Sequence, residues 1–142
     1  MTKPAFFAAA RSFSHANLMY QKFKESSSDV HILDFNHYFI TPQGIYFLLW
    51  FSLLFNVCAF LKNQKAIPKS IEKDLQKVYE DLKQCRHVTF HIPPSFYDDR
   101  FRIFLKPSSW KTVEKIHHAL SKFFDDEFLR YGEETYLHPN QS

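Results

Sequence analysis

Seventeen consecutive residues, Ile45 to Leu61 (IYFLLWFSLLFNVCAFL), carry only Ser52 and Asn56 as clearly polar interruptions, and this run constrains the fold more than any other feature. As a helix it spans about 25 Å, short of the roughly 30 Å hydrocarbon thickness of a bilayer. Such a helix is apolar on nearly every face, so it needs cover all round. Its length lies at the lower limit for spanning a membrane, and the mean hydropathy of the whole chain is −0.34. The favoured reading is therefore a central helix buried in a soluble bundle. A protein anchored in a membrane by residues 45–61 is the alternative. Thr41 followed by Pro42 supplies a start, an N-cap and then a proline at the first helical position, and the helix is expected to run to about Lys65.

The rest of the chain is suited to covering that helix. Its 142 residues fit one domain, with 17 phenylalanines as bulky core material and only 2 glycines. Few tight turns are available, so the fold class expected is all-α. A first helix is read over 4–25, with Pro4 in its first turn and Phe7, Ala10, Phe13, Leu18, Tyr20 and Phe23 inward. Val30 to Ile40 has no clean period and is taken as a packed connection holding one short strand or turn of helix. After a break at Pro68 and Ser70, Ile71, Leu75, Val78, Leu82 and Cys85 recur at steps of four and three with charged residues between them, the signature of an amphipathic helix. Pro93 pushes Ile92 out of helical geometry, so that helix stops at about His91. A short helix is expected over Ser95 to Leu105. A last one from Trp110 to Tyr131 turns Val113, Ile116, Leu120, Phe123 or Phe124, Phe128 and Tyr131 inward, with Gly132 as its stop. Residues 1–132 are thus one helical domain and 133–142 a flexible tail.

Charge and special residues narrow the function classes. A net charge of +3 is compatible with a phosphate-bearing partner without identifying one. Met1 to Ala10 lacks the apolar stretch and cleavage site of a secretory signal, and Cys58 and Cys85 lack CxxC spacing. Both thiols are expected buried and reduced in a cytoplasmic protein. His117 and His118 are adjacent and so point apart on a helix, which reads as surface or boundary rather than as a metal pair. Asp125, Asp126 and Glu127 read as a solvated run, and no glycine-rich phosphate loop exists. No metal and no cofactor is expected.

The one chemically pointed feature is Arg86 and His91, in RHVTFH at the end of the amphipathic helix. At about 100° per residue the two side chains lie roughly 140° apart, both away from the Ile71–Cys85 seam. A pair facing outward suggests a site completed by a second subunit across a two-fold axis. A guanidinium is a permanent cation that forks onto phosphate oxygens, while an imidazole exchanges a proton near neutral pH. Together they suffice for metal-free RNA cleavage, in which a base takes the 2′-hydroxyl proton and a cation stabilises the charge that develops on the phosphate.

RHVTFH resembles the Rx4-6H motif of HEPN-domain proteins, helical bundles that include metal-independent ribonucleases of toxin and phage-defence systems. The context is similar as well: an aromatic helix containing LLWFSLLF, then the motif, then FYDDRFRIF, together covering about residues 44 to 105. Family members often carry asparagine after the arginine, where His87 stands in this chain. The resemblance implies a HEPN-like bundle of four main helices plus a short helix after the motif. It also implies a homodimeric endoribonuclease with Arg86 and His91 catalytic, RNA as partner, and an antitoxin or other regulatory protein as a further one. His87 and Arg100 would assist substrate binding, and Tyr97, Asp98 and Asp99 would orient the helix end. DNA is not an expected partner. Because some HEPN proteins are inactive, the resemblance equally admits a module that binds RNA, a nucleotide or a partner protein.

Overall fold

The computed structural model describes residues 1–26, 35–91 and 106–137. Among these residues every regular element is helical: α1 (Lys3–Glu25), the single turn α2 (Phe35–Tyr38), α3 (Pro42–Asn63), α4 (Glu72–Phe90) and α5 (Pro107–Leu137), with a 3-10 turn at Lys69–Ile71 leading into α4. The four long helices form a bundle in which α1 borders α3 and α5, and α4 borders the same two. Ring pairs fix the directions. Phe23 at the end of α1 stacks on Trp50 near the start of α3, and Phe6 at the start of α1 meets Phe124 and Tyr131 late in α5. Hence α1 runs antiparallel to both neighbours.

Helix starts follow their chemistry. The Thr41 hydroxyl accepts from Gly44 N–H at 3.2 Å, satisfying one of the donors that a first turn leaves open, while Thr2 accepts from Ala5 N–H at 3.3 Å at the head of α1. Thr41 also donates to the Tyr38 carbonyl at 2.6 Å, tying α2 to α3. Gly44 sits so close beneath that carbonyl that a Cβ there would run into it. The sequence reading of this corner, a packed connection with one short strand or turn of helix, is met by the turn of α2, and Tyr38 and Phe39 are buried. Val30 to Asp34 lie outside the described residues.

The end of α3 is held by a different device. Lys65 adopts φ 53°, and two bonds close the turn: Ala66 N–H to Leu61 C=O at 2.8 Å and Lys65 N–H to Lys62 C=O at 3.0 Å. This is a Schellman motif, with lysine where glycine is usual.

The apolar run is the bundle's middle. Phe47, Trp50, Leu54, Val57, Cys58 and Leu61 are wholly buried, and 56% of the most apolar window of α3 is buried inside the fold. By length and composition α3 is also the one candidate among the described residues for crossing a membrane. The α4 seam matches expectation, Ile71, Leu75, Val78, Leu82 and Cys85 all being buried, with Val88 continuing it.

Three expectations are corrected, one of them Phe128, expected inward on α5 but 44% exposed. In α1 the inward phase is set by Phe6, Ala9, Phe13, Ala16, Tyr20 and Phe23, while Phe7 and Leu18 are 40% and 49% exposed. Phe7 still lays its ring on Phe6, Phe128 and Tyr131, so it rims the core rather than filling it. Nor does α5 stop at Gly132: it continues to Leu137, through residues assigned to the tail. One internal glycine costs a helix about 1 kcal/mol, too little to end one whose preceding turn is packed, as that of Tyr131 is on Phe6 and Phe7. The short helix expected over Ser95 to Leu105 lies outside the described residues.

Candidate functional site

The last turn of α4 places the motif. The helix ends at Phe90, with His91 as C-cap at φ −114° and ψ 126°, its N–H still donating to the His87 carbonyl at 3.0 Å. Val88 and Cys85 anchor this turn by burial, and the Cys85 thiol lies 3.9 Å from the Thr89 hydroxyl and 4.0 Å from the Leu48 carbonyl of α3. With those two side chains pinned inward, Arg86, His87, Phe90 and His91 are left exposed.

Their directions differ. Arg86 leans toward α3, its guanidinium 5.9 Å from the centre of the Phe55 ring. His91 is on the outward line with His87, one turn earlier, and the two imidazoles meet with centroids 4.5 Å apart and planes at 34°. Within one chain, therefore, the structure brings His87 to His91 and turns Arg86 aside. Phe90, which sequence reasoning passed over, is 55% exposed beside them. An aromatic ring at i+4 from an arginine on an outward face was the signal that could have found it. Tyr97, Asp98, Asp99 and Arg100 lie outside the described residues.

Other titratable groups are accounted for by the fold. Burial pushes the thiols of Cys58 and Cys85 up to about 12, so both are neutral at physiological pH and unsuited to nucleophilic work. They are free and buried, as expected.

His117 is a correction. Far from lying at the surface, it is 1% exposed, ringed by Phe13, Tyr20 and Trp50. Trp50 Nε1 lies 3.1 Å from its Nδ1 and Asn17 Oδ1 3.0 Å from its Nε2. An indole N–H only donates, so Nδ1 accepts, and the proton sits on Nε2, which donates to the Asn17 carbonyl oxygen. Burial, with the neighbouring His118 adding to it, lowers the His117 pKa to about 4. His118 stays exposed at 3.4 Å from the Tyr20 hydroxyl, which itself donates to Glu114 Oε2 at 2.8 Å. These contacts tie α1, α3 and α5 together and give the histidine pair a structural role. The acidic run is solvated at Asp125 and Asp126, with Asp126 paired to Lys122 at 2.7 Å.

Against family models, curated proteins and solved structures, the chain finds no match. The chemistry of its own residues must carry the functional reading.

Proposed function

We propose that this chain is a cytoplasmic, HEPN-like protein that cleaves RNA without a metal, in a homodimer whose sites combine Arg86 and His91 from different copies. The observation that carries the reading is geometric: the two side chains are exposed on the same helix end yet diverge, Arg86 toward Phe55 of α3 and His91 outward. Groups that diverge within one chain converge only against a second molecule, and a two-fold axis near the end of α4 would set each arginine before the other copy's histidine.

In that arrangement His91 accepts the proton of the ribose 2′-hydroxyl, the freed oxygen attacks the adjacent phosphorus, and the 5′-oxygen of the next nucleotide departs. Arg86 forks onto the non-bridging phosphate oxygens, where charge builds in the transition state. His87 stands where a second proton carrier or phosphate ligand is useful. The exposed ring of Phe90 is a surface on which a single-stranded base can stack. A trigger or antitoxin would act by covering this face.

The test is cleavage of total RNA in EDTA by the wild type, Arg86→Ala and His91→Ala. Loss of a general base is expected to lower the rate by about 10²- to 10⁴-fold and loss of the arginine by about 10²- to 10³-fold, with the helical spectrum unchanged. A second reading, an inactive module that binds RNA or a protein through this surface, is favoured by the rest position of Arg86 on Phe55. It predicts that the wild type binds RNA but releases no fragments.

A further inference from the structure

His87 and His91 are four residues apart, which on a helix places side chains on one face about 40° from each other. Their rings already meet, with centroids 4.5 Å apart, and both residues are exposed. This spacing presents two imidazole nitrogens to a single ion. Ligand nitrogens about 2.1 Å from a tetrahedral cation are roughly 3.4 Å from each other, a separation that small rotations of two touching rings reach.

The place on the helix adds to the attraction. The last carbonyls of α4 have no intrahelical donors and carry the negative end of the helix dipole, which favours a cation in the final turn. Imidazole is a borderline ligand that selects zinc, nickel or copper over magnesium, calcium or manganese. The pair supplies two ligands, and no group of three or more metal-binding side chains occurs among the described residues.

We propose that His87 and His91 form a two-imidazole site for a divalent transition cation of the zinc class, on the outward face of the last turn of α4. The site rests on this geometry alone. Its consequence for cleavage rests on the functional reading above: a lone pair of His91 bound to a metal cannot accept a proton, so zinc and the RNA reaction compete for the same side chain.

Calorimetric titration of zinc chloride into the full, EDTA-stripped and desalted chain at pH 7.5 tests it. One saturable site per chain is expected, weakened at least about tenfold by His87→Gln and by His91→Gln. His15→Gln, a change of an exposed histidine on α1, should leave the affinity unaltered. All three positions are exposed, and circular dichroism verifies that the fold is kept. Absence of saturable binding, or equal affinity in the wild type and both α4 variants, overturns the site. A chain that binds zinc yet cleaves no RNA when stripped of metal in EDTA would defeat only the functional reading, and cleavage in EDTA by a chain that binds no zinc would defeat only the metal site.

Discussion

A buried histidine that accepts from an indole has no room for a second proton on Nδ1, because protonating that nitrogen sets two donors face to face. His117 is in this position, and its folded pKa of about 4 lies below the ordinary value near 6.5. Between those two values the unfolded chain binds a proton that the folded chain refuses, so stability rises with pH through the window and is lost as pH falls from 6.5 toward 4. By linkage the loss at pH 5 relative to pH 7.5 is about 2 kcal/mol from this group. Urea denaturation at the two pH values should show that step. His117→Phe should remove it while lowering stability at pH 7.5 by about 2 kcal/mol, since the Trp50 N–H and the Asn17 carbonyl oxygen are left without their partner. A step of undiminished size in the variant would contradict the assignment. The burial of His117 was legible in principle: it falls four residues after Val113 and three before Leu120, on the core phase of α5. What hid it was residue type, because two adjacent histidines look alike and only one of them can face inward.

At the scale of elements, legibility followed the contrast between neighbouring residues. The α4 seam stands out because lysines, acids and glutamines separate its apolar positions. In α1 the adjacent Phe6 and Phe7 offer two phases one residue apart, and the alanines that decide between them, Ala9 and Ala16, weigh little in a hydrophobic pattern although they are buried against α1's neighbours. Both ends of α3 were legible, Thr41 and Pro42 as a start signal and Lys65 as the approximate stop, but a lysine there disguises the left-handed turn that closes the helix. That disguise yields a prediction. A lysine held at φ 53° carries a left-handed penalty that glycine escapes, so Lys65→Gly should raise the free energy of unfolding by about 1 kcal/mol. No gain in denaturation midpoint would mean that the turn does not impose that conformation in solution. The opposite substitution belongs at the other end: Gly44→Ala forces a methyl group against the Tyr38 carbonyl and should cost about 2 kcal/mol or more, read as a lowered midpoint. A neutral Gly44→Ala would show that the α2–α3 corner yields easily. Lys65 lies where α3 leads toward the start of α4, a helix length from His91, so Lys65→Gly should not alter a reaction at the end of α4; Gly44 is one turn before Leu48, whose carbonyl faces the Cys85 thiol near that end.

For the whole molecule, the bundle explains why Arg86 and His91 diverge within one chain. The burial of Cys85 and Val88 fixes the rotation of the last turn of α4, and that rotation sends Arg86 toward α3 and His91 outward. The sequence phase, roughly 140° between the two positions on an ideal helix, anticipated that the side chains diverge. It did not reveal the contact of His87 with His91 or the support of Arg86 by Phe55, because those depend on side-chain direction and on which face of an almost uniformly apolar α3 meets α4. If two copies complete each other, each active site needs an arginine from one chain and a histidine from the other. Mixing the inactive Arg86→Ala and His91→Ala proteins then tests this most directly. Half of the randomly formed dimers are mixed, and each mixed dimer holds one intact site of two, so an equimolar mixture after subunit exchange should recover about a quarter of wild-type RNA cleavage. Recovery near that level, absent from either variant alone, is the predicted result. A mixture that stays as inactive as its components, with exchange verified by a tagged partner, would contradict a site shared between chains.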